Sequence, residues 1–386
     1  MSRASSGLRS PRMRVLCVVS SSNQLYSGIG RALFELTRRL ADRIEYEFAI
    51  DGTYAQNVSL LTDFCEQHGF LLHVGRGAAV PDTLDALNLD LPALLSERRW
   101  DAVESLCWAN TATNDAMLGE LGETPLCYTP HHQPLWTVPM SAEQALRIES
   151  VHHRMLERAD LVLCDSPWER LHLQDRVRNL GNCLFLPLGC HFDAFRPGVL
   201  ERKEQLLFVG DLAEPRKRFD RVLAVFAMLR QRRPNLKLMV VGNRSERVRD
   251  HIPGFLRPAC ELLGYVSEAE LQQAYAESQG LFLLSEFEAF GIPILEALVC
   301  GTPVFLTDID ATRSLFGRFR GAHFCPGDDL EGTFAIVEQT LERGRESIRE
   351  VLADRVRLQA TFDWDILAAT KWQALAAAWF RKRHCA

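Results

Sequence analysis

The eleven cysteines of this chain form no C-x-x-C pair, no apolar run approaches the ~18 residues of a membrane span, and positive charge is not in surplus. Each absence excludes something. Cys17, Cys65, Cys107, Cys127, Cys164, Cys183, Cys190, Cys260, Cys300, Cys325 and Cys385 are scattered, odd in number and often set in apolar runs. They read as buried free thiols of a reducing compartment, not as a disulfide frame. The first fourteen residues are polar and arginine-rich and lack the apolar centre of a secretory signal, so a soluble, cytoplasmic protein is expected. A net charge of −6 and a pI near 6.0 argue against a generic nucleic-acid partner. The dinucleotide fingerprint is incomplete too: after Gly28 and Gly30 the third glycine is replaced by Leu33, and the loop is long.

At 386 residues the chain suits two domains. A hydrophobic share of 47% and a charged share of 24% are ordinary globular values, enough for a large core. Strand-like and helix-like segments alternate throughout, as parallel sheets with crossover helices require. The first strand is expected over 14–19, then a polar loop and a helix from about Arg31 with Leu33, Leu36 and Leu40 on one face. Ser166 and Pro167 open a later helix. Residues 206–210 read as a strand and 211–218 as a loop. The following helix presents Phe219, Val222, Leu223, Phe226 and Leu229 on one side.

The most informative stretch is LFLLSEFEAFGIPILEALVCGTPVFL, residues 281–306. Residues 281–284 are too short for a helix and read as a buried strand. A loop over 285–291 follows. Pro293 suits the first turn of a helix, since its fixed φ fits and no needed donor is lost. Gly301 and Pro303 stop that helix, and 304–306 is the next strand. In an open parallel sheet such a loop sits at the carboxyl end of its strand, where ligands bind, and a helix N-terminus aimed there suits a phosphate.

The motifs Ser-x-x-Glu-x-Phe-Gly and Glu-Ala-x-x-x-Gly-Thr-Pro-Val place Glu288 and Glu296 with seven residues between them. This resembles the Glu-x7-Glu signature of retaining glycosyltransferases with the GT-B fold, above all glycosyltransferase family four. The resemblance runs from Met13 to about Phe380. It implies an α/β protein with two Rossmann-like, doubly wound domains facing a central cleft: an acceptor-side domain over 13–198 and a nucleotide-sugar domain over 199–363. A C-terminal helix over 364–386 would pack back on the first domain, and a hinge falls near 198–203.

By that resemblance Glu288 meets donor-sugar hydroxyls and Glu296 the ribose, because carboxylates accept charge-assisted hydrogen bonds. Backbone N–H groups around Phe290, Gly291 and Ile292 face the sugar and phosphates. Gly28 and Gly30 belong to a glycine-rich loop near the donor phosphates and the acceptor; a plain strand-to-helix turn is the alternative. His131 closes a strand near the donor sugar, with His132 the second choice, whereas His152 and His153 read as ordinary surface residues. Val266, in Leu263-Gly264-Tyr265-Val266, lies where the backbone holds the base, with a core position the plain alternative for Tyr265. The family carries an arginine after its Val-Gly and a lysine six residues on. Lys217 keeps the lysine, but Asp211 replaces the arginine. Either Arg216 or Arg218 supplies the second charge, or Asp211 turns away to order the loop.

The implied reaction moves a hexose from a GDP- or UDP-sugar to a saccharide or other hydroxyl acceptor, free or lipid-linked, with retained configuration. No cofactor or metal is implied. Asp308-Ile309-Asp310 mimics a metal-binding Asp-x-Asp but lacks that motif's context and reads as a loop. A glycosidase pair needs carboxyls ~5–9.5 Å apart, and eight helical steps span ~12 Å. Two rivals share the fold: a sugar phosphorylase or synthase, and a non-catalytic nucleotide-sugar binder motivated by Asp211. In the last helix Ala368, Trp372, Leu375 and Trp379 share a face that ends in RKRH. Packing on the first domain is the expected use of that face, and a peripheral contact at the inner face of the membrane is its rival.

Overall fold

The computed structural model describes residues 12–384 apart from 20–24, 26, 27, 53, 76–89, 107–110, 132–139, 178, 179, 181, 213 and 243–248. Its elements alternate along the chain. The first half contains β1 (Met13–Val19), α1 (Gly28–Leu40), β2 (Ile44–Ile50), α2 (Ala55–His68), β3 (Leu71–Val74), α3 (Leu91–Glu97), β4 (Ala102–Leu106), α4 (Thr111–Glu120), β5 (Leu126–Thr129), α5 (Ala142–Arg158), β6 (Leu161–Cys164), α6 (Pro167–Arg176) and β7 (Cys183–Phe185). The second contains β8 (Gln205–Val209), α7 (Phe219–Arg232), β9 (Lys237–Val241), β10 (Cys260–Gly264), α8 (Glu268–Glu277), β11 (Gly280–Leu283), α9 (Ile292–Val299), β12 (Val304–Thr307), α10 (Asp310–Phe316), β13 (Ala322–Cys325), α11 (Leu330–Arg343), α12 (Arg345–Ala353), α13 (Arg355–Phe362) and α14 (Trp364–His384).

Among the described residues the strands form two parallel sheets, ordered β3-β2-β1-β4-β5-β6-β7 and β10-β9-β8-β11-β12-β13. Strands such as β11 and β12 are buried along their whole length, which is why they read as apolar runs without alternation. Strand order reverses between β1 and β4 in one sheet and between β8 and β11 in the other. Loops at the carboxyl ends of such a pair diverge and leave a crevice.

Each sheet has a private core on one face. That of the first sheet includes Tyr128 and Met155, and that of the second includes Phe226 and Phe282. A third cluster is common to both halves, running from Leu36 and Phe48 through Leu188 and Phe192 to Phe290, Phe362 and Trp364. The connecting segment is pinned beneath it. The Arg355 guanidinium donates to the carbonyls of Phe192, Phe195 and Val299 at 2.7, 3.1 and 2.5 Å. Residues 198–203, expected as a hinge, are fastened to the second half: buried Arg202 donates to Cys300 O at 2.9 Å and Lys203 N to Glu277 O at 2.9 Å.

The last helix, α14, crosses back to the first sheet. It buries Leu367, Ala368, Leu375 and Ala378, and inserts Lys371 with its Nζ 2.8 Å from Glu104 Oε2 on β4. Burial works to discharge Lys371, but Glu104 and the neighbouring Tyr46 outweigh it and hold the ammonium above its usual range. At the end of the helix Trp379 Nε1 and Arg383 both donate to Asp101, and Lys382 donates to Asp160. No described helix is long and apolar enough to cross a membrane.

Candidate active site

The second switch point brings two loops together. After β8 the chain makes a 3-10 turn, Pro215–Lys217, in which Lys217 N donates to Glu214 O at 3.0 Å. Arg218 closes the turn at φ 48 and caps α7. Its guanidinium is spent on Asp220 and Glu286, at 2.9 and 2.7 Å. The loop after β11 is laced to this turn, because Glu286 N donates to Arg216 O at 2.8 Å and Arg216 Nη1 to Phe287 O at 3.0 Å.

Glu288 is the focus of that lacing. Its Oε1 accepts from Lys217 Nζ at 2.6 Å and Ser285 Oγ at 2.8 Å, and Arg216 Nη1 stands 3.8 Å from Oε2. The residue is 6% exposed. Burial pushes its carboxyl up, but Lys217 and Arg216 prevail and hold it below the ordinary range, so it is ionised. Both candidates for the second cation beside Lys217 have acidic partners of their own, Arg216 in Glu214 at 2.5 Å and Arg218 in Asp220 and Glu286, but Arg216 also stands near Glu288. Asp211 contributes its carbonyl to the turn, accepting from Glu214 N at 3.2 Å.

Three residues on, Gly291 caps α9 at φ 83 with no side-chain cap; Pro293 has no N–H and Ile294 N donates to Gly291 O at 2.9 Å, so Gly291 and Ile292 carry the N–H groups that this end offers another acceptor. Pro293 lies in its first turn, as the sequence suggests. The ring of Phe290 is core, edge-on to Phe316 and Phe362 at 5.7 and 5.9 Å, so this residue offers the site only its backbone. A Cβ on Gly291 would lie 2.5 Å from Ile294 Cδ1 in a conformation that L side chains rarely adopt. Gly291→Ala is therefore expected to lose about 1–3 kcal/mol of stability. It should weaken nucleotide binding more than its urea midpoint implies, because the displaced loop carries Glu288.

Glu296, on α9, is 2% exposed and engaged on both oxygens. Tyr275 Oη donates to Oε2 at 3.0 Å, and Arg31 of α1 donates to Oε1 from the other half of the molecule. Burial raises this carboxyl above its usual range, with Arg31 and Tyr275 only partly offsetting it. Gly28 and Gly30 are not in a loop, as expected, but in the first turn of α1, which starts three residues before Arg31. Gly28 lies against α9: a Cβ there would be 3.0 Å from Ile292 Cδ1.

His131, two residues after β5, stands at φ 47, an uncommon conformation for a non-glycine residue. Its Nδ1 lies 2.7 Å from Asp165 Oδ2 at the end of β6, and both are buried. No hydrogen bond or ion pair joins His131 to Lys217, Arg216 or Glu288. The two sides meet nearby, however: Trp168 N donates to Ser314 Oγ at 3.3 Å, and the Trp168 and Phe287 rings lie 6.4 Å apart. His132 lies outside the described residues. Val266 follows β10, half-buried against the shared core, but Tyr265 is 86% exposed and its reading as a core residue fails. His152 is likewise not a surface residue. It is 2% exposed, with Nδ1 2.8 Å from Tyr128 Oη. Asp308 of the Asp-x-Asp is held by Arg313 through two hydrogen bonds of 2.5 and 2.6 Å.

Sequence reasoning missed Arg31, Tyr275, Ser285 and Asp165. Asp165 and Ser285, each a polar residue directly after an apolar run, carried a local signal, and Ser285 also opens the Ser-x-x-Glu motif.

The family model for "Glycosyl transferases group 1" matches residues 192–353, and that for "Glycosyl transferase 4-like domain" matches 27–189. A phosphatidyl-myo-inositol mannosyltransferase of Mycolicibacterium smegmatis is 29% identical over 258 residues, 65% of this chain and 64% of its own. A glycogen synthase of Mycobacterium tuberculosis is 28% identical over 180 residues, 45% of this chain and 42% of its own. The chain thus spans less than two thirds of the length of either relative. Among solved structures, a sucrose-phosphate synthase from Thermosynechococcus elongatus superposes with a TM-score of 0.70 at 17% identity, over 95% of this chain and 99% of that one. Anabaena HepE in complex with UDP and glucose gives 0.72 at 16%, over 95% and 100%. With its two parallel sheets, its paired switch points and these matches, the chain belongs to the group 1 glycosyltransferases of the GT-B fold.

Proposed function

We propose that the protein is a retaining glycosyltransferase that moves a hexose from a GDP- or UDP-sugar to a saccharide or other hydroxyl acceptor without a metal. The observation that carries this reading is the convergence of Lys217 and Arg216 on the buried, ionised Glu288 at the β8–β11 switch point, beside the uncapped end of α9. As the glycosidic bond breaks, negative charge grows on the leaving diphosphate. Two cations and a helix N-terminus placed there stabilise it more in the transition state than in the ground state. Glu288 then has two roles: it keeps Lys217 and Arg216 in place when the site is empty, and it accepts hydrogen bonds from sugar hydroxyls when it is filled. Arg216 compensates for Asp211, so the loss of the family's arginine does not by itself imply a dead site.

His131 completes the acceptor-side wall. With Nδ1 committed to Asp165, its Nε2 is the nitrogen left to meet a hydroxyl or a developing charge. Val266 and the backbone of 290–292 fit the base and phosphates. The mannosyltransferase relatives favour mannose as the sugar, and the UDP and glucose of the HepE complex keep UDP-hexoses in view. The phosphatidyl-inositol named in one relative makes a lipid-linked acceptor the first to try.

The test is thermal unfolding with GDP, UDP and their sugars, with and without magnesium. A ligand at 100 times its Kd should raise stability by about 2.7 kcal/mol. One nucleotide family should give a shift that Glu296→Ala loses and magnesium leaves unchanged. The same donor should release its nucleoside diphosphate when an acceptor is supplied. A non-catalytic binder would show the first result without the second, and no shift with any nucleotide would end the donor-site reading.

A further inference from the structure

Glu296 is a buried carboxylate clamped from two directions. Tyr275 reaches Oε2 from α8, in the same half of the molecule, and Arg31 reaches Oε1 from α1, 265 positions away in the other half. The contact is part of a docked surface, because Gly28, one turn before Arg31, abuts Ile292 in the first turn of α9. A carboxylate offers about four lone-pair sites. The two clamps use two of them, which leaves one on each oxygen, the arrangement that suits the vicinal hydroxyls of a ribose.

We propose that Arg31 is a positioning residue for the donor ribose: held across the domain boundary, it fixes the rotamer of Glu296, so that the ribose subsite is assembled from both domains. The proposal rests on the reading of Glu296 as a ribose ligand. Several groups face that carboxylate. Arg31 comes from α1, Tyr275 and Glu268 from α8, Cys190 from the connecting segment, and Cys300 from the end of α9. Among them Arg31 is the cation that acts on it, while Glu268 opposes its ionisation. Without Arg31 the buried carboxylate keeps one phenol hydrogen bond and takes up a proton at higher pH, losing the charge that strengthens its bonds to hydroxyls. Donor affinity is then coupled to contact between the halves: whatever separates α1 from α9 also loosens the ribose.

The experiment measures Kd for GDP, UDP and their 2′-deoxy forms by calorimetry between pH 5.5 and 8, in the full chain and in Arg31→Ala, Arg31→Lys and Glu296→Ala. In the unaltered chain the ribo form should bind more tightly than the 2′-deoxy form. Arg31→Ala should weaken the ribo form by about tenfold or more while moving the deoxy form less, so the ratio falls toward one. Its affinity should also fall on acidification from a higher pH than in the unaltered chain, because the folded-state carboxyl is pushed further up. Arg31→Lys should recover part of the ratio, and it serves as the variant to measure if Arg31→Ala does not fold. An unchanged ratio and pH profile in Arg31→Ala, or in Arg31→Lys where the alanine variant does not fold, overturns the proposal. So does tighter binding in Arg31→Ala, which would mean that Arg31 merely occupies the place of the ribose. If Glu296→Ala leaves every Kd unchanged, the donor-site reading itself fails; if it weakens binding while the Arg31 variants do not, only the role of Arg31 does.

Discussion

Lys217→Ala is expected to lower the turnover of sugar transfer about a hundred- to a thousandfold, the loss typical of removing one preorganised donor from a developing anion. The change belongs in kcat more than in KM if, as proposed, the charge that Lys217 meets grows as the bond to the diphosphate breaks. The side chain is 12% exposed and its partner Glu288 8%, so the pair is desolvated and its electrostatics are strong. Among the described residues, removing the lysine also leaves Glu288 with Arg216 at 3.8 Å as its cationic neighbour. Some thermal stability goes with it, and the unfolding midpoint must be read alongside the rates. Lys217→Arg keeps the charge on a different fork and should recover only part of the turnover. Steady-state kinetics with the donor that passes the thermal-shift test decide the matter. Turnover within about threefold of the unaltered chain would remove Lys217 from the chemistry.

Lys371→Met should be the most destabilising single change outside the site. Its ammonium is 6% exposed against 3% for Glu104, and the Oε1 of Glu104 is already buried without a hydrogen-bond partner. Truncating one member of such a pair strands the other charge in the core, at a cost of about 3–5 kcal/mol. For a domain of this size that is a fall in Tm on the order of 10 °C. The double change Lys371→Met with Glu104→Leu should recover most of the loss, since a well-packed apolar pair of similar volume is often as stable as the buried ion pair. Equal and additive losses in the two single variants would show that the pair does not interact.

Much of the architecture was legible because its signals are local. A run such as GLFL can only be a buried strand, Pro293 and Gly301 bracket α9 by backbone geometry alone, and a lysine in the loop after β8 is a short-range feature. What escaped depends on chain segments far apart in sequence. Nothing near His152 indicates that the hydroxyl of Tyr128 will meet it, and a lone helical histidine beside another reads as solvated. Lys371 misleads in the same way: within α14 it is one basic residue among several, and only β4 explains its burial. Arg31 looked like the start of a surface helix, yet its partner lies across the molecule. The early start of α1 was hidden by its glycines, which read as loop where close packing on α9 favours them.

The return of α14 to the first sheet has a bearing on biosynthesis. The amino-terminal half leaves the ribosome first, yet Glu104 waits for a counter-charge that lies 267 positions further along the chain. Until α14 emerges, the nascent first half carries an unneutralised carboxylate beside the apolar strip that Leu367, Leu375 and Ala378 cover in the folded chain. Completion of the first half therefore waits on the second, which also shares a core with it. A chain ending before Trp364 should show a more protease-sensitive amino-terminal half than the full chain.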